Sequence, residues 1–343
     1  MIPRTTARTR MISLLLCAVL AAGCSKSPTA PGQTAAGAAA APALMKVALQ
    51  LDWYPTTEQG GYFEALMNNT FRDAGLDVSI EPGGPGCVPL QLVGTGRSAF
   101  AIGRCDDVML AARQGLPLVI VCAQMEHDPQ AIMMHEDGDV RSFEDLDGKA
   151  VNCGPGANWM AAIQARYHVH FSVIPTDYGL ARFMADRNYV QQCFISNEPY
   201  LVGLHGVKTR TLLISGGGYD PYRVVYTSRG FAESHPEVVR AFVAASIRGW
   251  SEFLRGDAAP ARAKILSENS SQTAGMADYS LEAMKRYGLV EGDPAKGERI
   301  GLITPARMTA LMNTLVDLKV LDAPMPLERF VSFDFLPADM RAR

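Results

Sequence analysis

The chain has 343 residues, and its 32 Lys and Arg residues against 35 Asp and Glu residues give a formal net charge of −3. A charge so close to neutral excludes the strongly basic surface typical of nucleic-acid-binding proteins. Seven cysteines without CxxC spacing exclude a dense disulfide framework and a zinc knuckle. The length allows a large core and more than one domain.

The N-terminal residues have the features of a secretory signal. A basic start with three arginines precedes an apolar run at 11–22, which is shorter than the roughly 20 residues of a membrane-spanning helix. The segment Leu20-Ala21-Ala22-Gly23-Cys24 is similar to a bacterial lipobox. We therefore predict a signal peptide over 1–23 and a lipid on Cys24, with an ordinary secreted protein as the alternative. Removal of 1–23 takes away three arginines and no acids, which leaves a formal charge of −6.

A segment poor in large apolar residues follows the predicted lipid site. Residues 25–43 are nearly all Ala, Pro, Gly, Ser and Thr, a composition typical of flexible linkers. Nineteen residues extend to at most about 65 Å. We predict that 24–43 is a tether that lets a globular body contact a partner in the same membrane, inner or outer.

From Lys46 onward, strand and helix patterns alternate, which is typical of α/β layers. The first block has predicted strands at 46–51, 76–80, 99–103, 117–124 and 130–135, with helices at 58–70 and 106–114. The second block has predicted strands at 149–153, 169–174, 190–195 and 209–214, with helices at 157–167 and 179–187. Beyond residue 215 we predict helices only. The helix after Pro236 places apolar residues at three- and four-residue steps, which indicates one buried face.

Two α/β blocks joined by two crossing segments indicate two lobes around a cleft. We predict that lobe 1 comprises 44–131 and 219–343 and that lobe 2 comprises 132–218. Ligands of open α/β sheets bind beyond the carboxyl ends of the strands, so we take candidate site residues from the segments after each predicted strand. These candidates are Asp52, Trp53, Tyr54, Glu58, Gly86, Arg104, Cys105, Asn158, Trp159, Asn197, Glu198, Tyr200 and Tyr219. Aromatic walls with a few polar anchors suit a planar heterocycle better than a sugar or an inorganic ion.

Several of these candidates have a structural alternative. Trp53 could plug the base of the first helix, and Glu198 could cap the helix that follows it. Arg104 could pair with Asp106 or Asp107 instead of a ligand anion. The turn at Gly154 could bind an anion at a helix start, or could simply connect a strand to a helix.

Three segments of the chain together resemble a known family. They are Leu51-Asp52-Trp53-Tyr54-Pro55 with Gly61-Tyr62 after it, Leu92 to Ile102, and Ser196-Asn197-Glu198-Pro199-Tyr200. In these segments the chain is similar to solute-binding proteins of the nitrate, sulfonate and thiamine-precursor family, which deliver ligands to ABC importers. The similarity covers 46–250. The Asp-Trp-x-Pro pattern followed by Asn-Glu-Pro is typical of the thiamine-precursor branch.

This resemblance implies an α/β, two-lobed periplasmic-binding-protein fold of type II. Each lobe would be a mixed sheet flanked by helices, with the ligand in the cleft between them and no catalysis. By position, Trp53 and Tyr54 would stack on a pyrimidine-like ring, and Glu198 would accept hydrogen bonds from ring amino groups. The implied partners are a small-molecule ligand and an importer permease. We expect a periplasmic, lipid-anchored monomer that binds no nucleic acid and no cofactor.

Two departures from the family pattern leave the ligand open. Glu58-Gln59-Gly60 stands where many relatives carry an Asn-His-x-Gly segment, and the stretch from Gly103 to Asp107 is unusual for importer proteins. One alternative ligand is therefore a sulfonate or carboxylated aromatic anion held by Arg104 and the Gly154 turn.

Other classes of protein have less support from the sequence. A secreted enzyme would use Cys105 or Cys153 as its nucleophile and would need a nearby histidine. Fungal relatives that synthesise the pyrimidine of thiamine carry a His-Cys-Cys-Cys-Phe-Gly run that this sequence lacks. His168 and His170 lie two residues apart, but no third ligand stands at metal-binding spacing, so we predict no metal site.

Overall fold

Ten β-strands and twelve α-helices occur in residues 43–154 and 156–341, which are the residues that the computed structural model describes. Strands β1 to β10 are Met45–Gln50, Leu76–Glu81, Phe100–Arg104, Leu118–Met125, Gln130–His135, Ala150–Cys153, Ser172–Pro175, Val190–Phe194, Thr209–Leu213 and Arg223–Ser228. Helices α1 to α12 are Gly60–Met67, Thr70–Asp73, Pro89–Gly94, Cys105–Arg113, Asn158–Tyr167, Ala181–Ala185, Glu198–Gly203, Arg229–Ser234, Pro236–Arg255, Ala259–Glu268, Ala274–Arg286 and Pro305–Asp317. The predicted signal peptide, Cys24 and the predicted tether up to residue 42 lie outside the described residues.

The strands form two five-stranded sheets with the same pattern of parallel and antiparallel neighbours. The first sheet has the order β2-β1-β3-β10-β4, and the second has the order β7-β6-β8-β5-β9. In each sheet the first three strands are parallel, and the fourth, β10 or β5, runs antiparallel to both of its neighbours. The chain crosses between the sheets at 126–129 and at 214–222. The first crossing thus ends before Gln130, two residues earlier than the proposed start of lobe 2.

Strand β10 is the main correction to the predicted elements, because we expected only helices beyond residue 215. Its sequence, RVVYTS, is rich in β-branched and aromatic residues, and five of its six residues are buried in the middle of the first sheet. Because β10 runs antiparallel to β3, its first residue, Arg223, pairs with Arg104 at the end of β3. Arg223 therefore lies at the sheet edge where β1 and β3 end.

The long helix α9 supports the base of this edge. Its predicted apolar face is confirmed, because Val239, Phe242 and Trp250 are each at most 1% exposed. Helix α9 crosses α1 at two facing glycines, where a Cβ placed on Gly249 would lie 2.3 Å from the carbonyl oxygen of Gly61. This close backbone contact fixes the start of α1 and the single 3-10 turn Thr57–Gln59 that precedes it.

Candidate ligand-binding cavity

A cavity of about 270 Å³ is bounded by residues from both sheets and from the C-terminal helices. The residues that line it are Asp52, Trp53, Thr56, Glu58, Gln59 and Arg223 from the first sheet, Thr176, Tyr178, Leu180, Gln191, Gln192, Phe194, Ser196, Asn197, Glu198 and Leu201 from the second, and Gln272, Met276 and Ser280 from the C-terminal region. Five predicted site residues are among them: Asp52, Trp53, Glu58, Asn197 and Glu198. The cavity therefore lies at the strand ends from which these candidates were taken.

Aromatic rings from both sheets meet at the cavity. Trp53 follows β1, and its ring centroid lies 5.2 Å from that of Tyr178, which follows β7 in the second sheet. The Tyr178 backbone has the left-handed value φ 59°, and its N–H donates to Thr176 Oγ1 at 3.0 Å. Tyr54 does not line the cavity; it is 48% exposed and packs edge-on against Trp53, at 5.5 Å between centroids. Tyr178, which is 66% exposed, therefore lines the cavity beside Trp53, whereas Tyr54 does not.

Glu198 lies at the start of a helix and lines the cavity. It is the first residue of α7, and its Oε2 accepts the backbone N–H of Phe194 at 2.7 Å. Its side chain also lines the cavity, as that of Trp53 does. Burial raises the pKa of the Glu198 carboxyl. The cap role proposed for Glu198 is therefore wrong, because Asn197 is the N-cap residue and Glu198 accepts instead from Phe194 at the end of β8.

Glu58 connects the two sheets through a hydrogen bond. It lies in the 3-10 turn that a capping box between Thr56 and Gln59 initiates, and the Ser196 hydroxyl donates to its carboxylate. The Gln124 amide donates to its backbone oxygen at 3.0 Å. Burial raises the pKa of Glu58 to about 7. The ionisation of Glu58 therefore changes near neutral pH inside the cavity.

Arg223 is the single lysine or arginine among the lining residues, and its charge is already paired. It forms an ion pair with Asp52 and lies 3.8 Å from a carboxylate oxygen of Asp128. Burial opposes its charge, but Asp52 and Asp128 outweigh this effect and raise the Arg223 pKa. The guanidinium carbon also lies 5.9 Å from the ring centroid of Phe194. With Glu58 and Glu198 added, the cavity has more carboxylates than cationic groups.

Three predicted ligand contacts bind the buried carboxylate of Asp106 and do not line the cavity. Arg104 forms ion pairs with Asp106 at 3.3 Å and with Asp107 at 3.0 Å. Asn158 and Tyr219 donate to Oδ2 of Asp106 at 2.8 and 2.6 Å. These residues follow strands, as predicted. Their side chains, however, supply the hydrogen bonds and the charge that the fully buried Asp106 carboxylate needs, because water does not reach it.

The four remaining candidates also lie off the cavity. Cys105 and Trp159 are 0% and 1% exposed, because the first turns of α4 and α5 face the core. Tyr200 packs against Tyr279, with 5.4 Å between ring centroids. Gly86 lies in a loop at φ 84°, with open space around it.

Sequence reasoning missed the C-terminal wall of the cavity. All three wall residues are buried: Met276 and Ser280 lie four residues apart on one face of α11, and Gln272 lies in the turn before this helix. Their spacing was visible in the sequence, but nothing local indicated that this helix packs beside the end of β1.

Neither cysteine that we considered as a nucleophile is activated. All five cysteines of the described residues are free thiols, and Cys105, Cys122, Cys153 and Cys193 are buried. Burial raises the pKa of Cys153 to about 11 and that of Cys105 well above its ordinary value, the opposite of what a nucleophile needs. In the described part of the chain, no three Cys, His, Asp or Glu side chains converge as a metal site.

Comparison with known proteins decides the family. The family model described as NMT1/THI5 like matches residues 56–258, more than half of the chain. The chain belongs to the NMT1/THI5-like family. Among its relatives is the riboflavin-binding protein RibY of Chloroflexus aurantiacus, 28% identical over 289 residues, which are 80% of this chain and 81% of RibY. The formylaminopyrimidine-binding protein of Halalkalibacterium halodurans is 26% identical over 253 residues, or 70% of this chain and 73% of that protein.

Solved structures share the fold of this NMT1/THI5-like chain. The periplasmic aliphatic sulphonate binding protein SsuA of Escherichia coli superposes with a TM-score of 0.64 at 14% identity, over 84% of this chain and 92% of SsuA. The periplasmic nitrate-binding protein NrtA of Synechocystis PCC 6803 superposes with a TM-score of 0.61 at 13% identity, over 87% of this chain and 91% of NrtA. The predicted family and the predicted fold of two mixed sheets flanked by helices are confirmed. No helix among residues 43–154 and 156–341 is long and apolar enough to span a bilayer.

Proposed function

We propose that this protein is the solute-binding component of an ABC importer and captures a small planar nitrogen heterocycle such as a pyrimidine thiamine precursor. The observation that carries the proposal is the cavity between Trp53 and Glu198, which combines an aromatic face with carboxylate and amide acceptors. An aromatic face stacks on a flat ring and contributes about 0.5–1.5 kcal/mol beyond area burial. A hydrogen bond from a ring amino group to ionised Glu198 adds about 1.5–3 kcal/mol.

The charges of the cavity favour a neutral or cationic ligand over an anion. Its one guanidinium, on Arg223, already faces Asp52 and Asp128, whereas Glu58 and Glu198 have no cationic partner within ion-pair distance among the described residues. The anion alternative depended on Arg104, which pairs with two aspartates away from the cavity. An anion would therefore lie next to carboxylates with no free cation.

Cavity size favours a single-ring ligand. About 270 Å³ lies just below the range of about 300–1,000 Å³ typical of pockets for drug-sized molecules. Of the two relatives, one is named for riboflavin, which has three fused rings, and the other for a formylaminopyrimidine, which has one. The smaller molecule suits this cavity better.

We also propose that the protein is periplasmic, is held at a membrane by a lipid on Cys24, and delivers its ligand as a monomer to an importer permease. The lipobox-like residues 20–24 and the composition of 25–43 support the anchor. The named relatives and fold neighbours bind solutes, and several are periplasmic, which supports the compartment and the importer role.

Isothermal titration calorimetry tests the ligand class. Formylaminopyrimidine, riboflavin and an alkanesulfonate should be titrated into the protein, and we expect the pyrimidine alone to bind at micromolar Kd or tighter, on the order of −8 kcal/mol. Trp53→Ala should weaken that binding by roughly tenfold through lost stacking and burial. Tyr54→Ala is the matched control, since Tyr54 does not line the cavity. Binding of the sulfonate without the pyrimidine, or equal losses in both variants, would contradict the proposal.

A further inference from the structure

The C-terminal wall of the cavity contains a buried acceptor without a donor. Gln272 lines the cavity, is 8% exposed, and its Oε1 has no hydrogen-bond partner among the described residues. Its amide nitrogen lies 3.4 Å from the thioether sulfur of Met276, a weak acceptor. Buried polar side-chain atoms in proteins nearly always have a partner, so this amide is suited to a group that enters the cavity.

Two other cavity residues share this property. Oδ1 of Asp52 and Oδ1 of Asn197 are also buried and unpaired in the described structure. Asp52 follows β1 of the first sheet, and Asn197 follows β8 of the second sheet. Gln272 belongs to the C-terminal wall of the cavity. All three atoms are acceptors, which indicates a ligand that presents N–H or O–H groups at more than one edge.

The segment that carries this wall is attached to both sides of the cavity. The Tyr279 hydroxyl of α11 donates to the backbone oxygen of Ile195, which follows β8 of the second sheet, at 3.1 Å. On the other side, the Asn269 amide donates to the backbone oxygen of Pro55, at 2.9 Å. Gln272 lies between these two attachments, in the turn that joins α10 to α11, and its backbone N–H donates to the Asn269 oxygen at 3.0 Å. These hydrogen bonds restrict its position.

We propose that Gln272 is a specificity-determining residue whose amide oxygen accepts a hydrogen bond from an N–H or O–H substituent on the ligand ring. Met276 and Ser280 complete the surface against which that substituent packs. The inference deepens the proposed function and depends on it. Gln272 lies beyond residues 56–258, the part that the family model matches.

Calorimetry with two matched aminopyrimidines tests this proposal. One probe carries a hydroxymethyl group, and the other carries a methyl group at the same ring position. We expect the unaltered protein to prefer the hydroxymethyl compound. Gln272→Leu should lower the affinity for that compound by roughly fivefold to tenfold and change the affinity for the methyl compound by less than about twofold.

Two control variants separate recognition from a structural role. Gln272→Glu keeps an acceptor at this position and should retain the preference. Met276→Leu conserves volume and keeps the Gln272 oxygen, although it removes the weak sulfur acceptor of the Gln272 amide nitrogen, and should change the affinity for both probes equally. If Gln272→Leu loses equal affinity for both probes, or if the unaltered protein shows no preference between them, the role of Gln272 is overturned while the proposed ligand class stands. If neither probe binds the unaltered protein, the proposed ligand class fails and this inference fails with it.

Discussion

Replacing Glu58 with glutamine should flatten the pH dependence of stability in the ligand-free protein. Burial raises the pKa of Glu58 from 4.5 to about 7. A group whose pKa is higher in the folded state stabilises the fold fully below its unfolded value, and this stabilisation is lost as the pH rises through the folded value. Between pH 5 and pH 8, linkage predicts that Glu58 lowers the free energy of unfolding by about 2.5 kcal/mol.

Urea unfolding at pH 5, 6, 7 and 8 measures this effect in the wild type and in Glu58→Gln. The variant removes the titrating carboxyl but keeps an acceptor for the Ser196 hydroxyl. The free-energy difference between wild type and variant should therefore fall by about 2.5 kcal/mol from pH 5 to pH 8. Glu144→Gln changes an exposed carboxyl and is the control. A difference that stays constant within about 0.5 kcal/mol, or that rises with pH, would refute the reasoning.

Two further predictions concern packing and a buried ion pair. Gly249→Ala should destabilise the protein by about 1–3 kcal/mol, because the added Cβ would lie 2.3 Å from the Gly61 carbonyl oxygen. The control Gly230→Ala places its Cβ in open space on α8 and should be neutral or stabilising. Arg307→Met should cost about 3–5 kcal/mol, because Arg307 pairs at 3.3 Å with Glu126, a residue only 1% exposed. The double variant with Glu126→Gln should recover part of that loss, and strictly additive losses in urea unfolding would contradict the pairing.

Local sequence patterns predicted most of the first and second sheets, because their strands are apolar runs separated by turns. They missed β10, whose place in the first sheet depends on a chain segment that returns from the second sheet. Strand-end reasoning found Trp53 and Glu198 on the cavity. It also assigned Arg104 to a ligand, since sequence does not show that Asp106 and Asp107 satisfy this side chain.

The remaining cavity residues come from long-range packing. Tyr178 contacts Trp53 only because β7 and β1 end at facing edges of different sheets. Gln272 lines the cavity only because the end of α10 is attached to the loop after β1 and α11 is attached to the loop after β8. Neither contact has a signal in the residues next to it in sequence, so a method that takes each segment separately does not find them.

The central claim is that one cavity between the two sheets holds an aminated ring between Trp53 and Glu198. A crystal structure of the protein with bound formylaminopyrimidine tests it most directly. We predict that the pyrimidine ring stacks on Trp53 and that a ring N–H donates to Glu198. A ligand bound away from both side chains, or an anion held by Arg104 in the same crystals, would contradict the account.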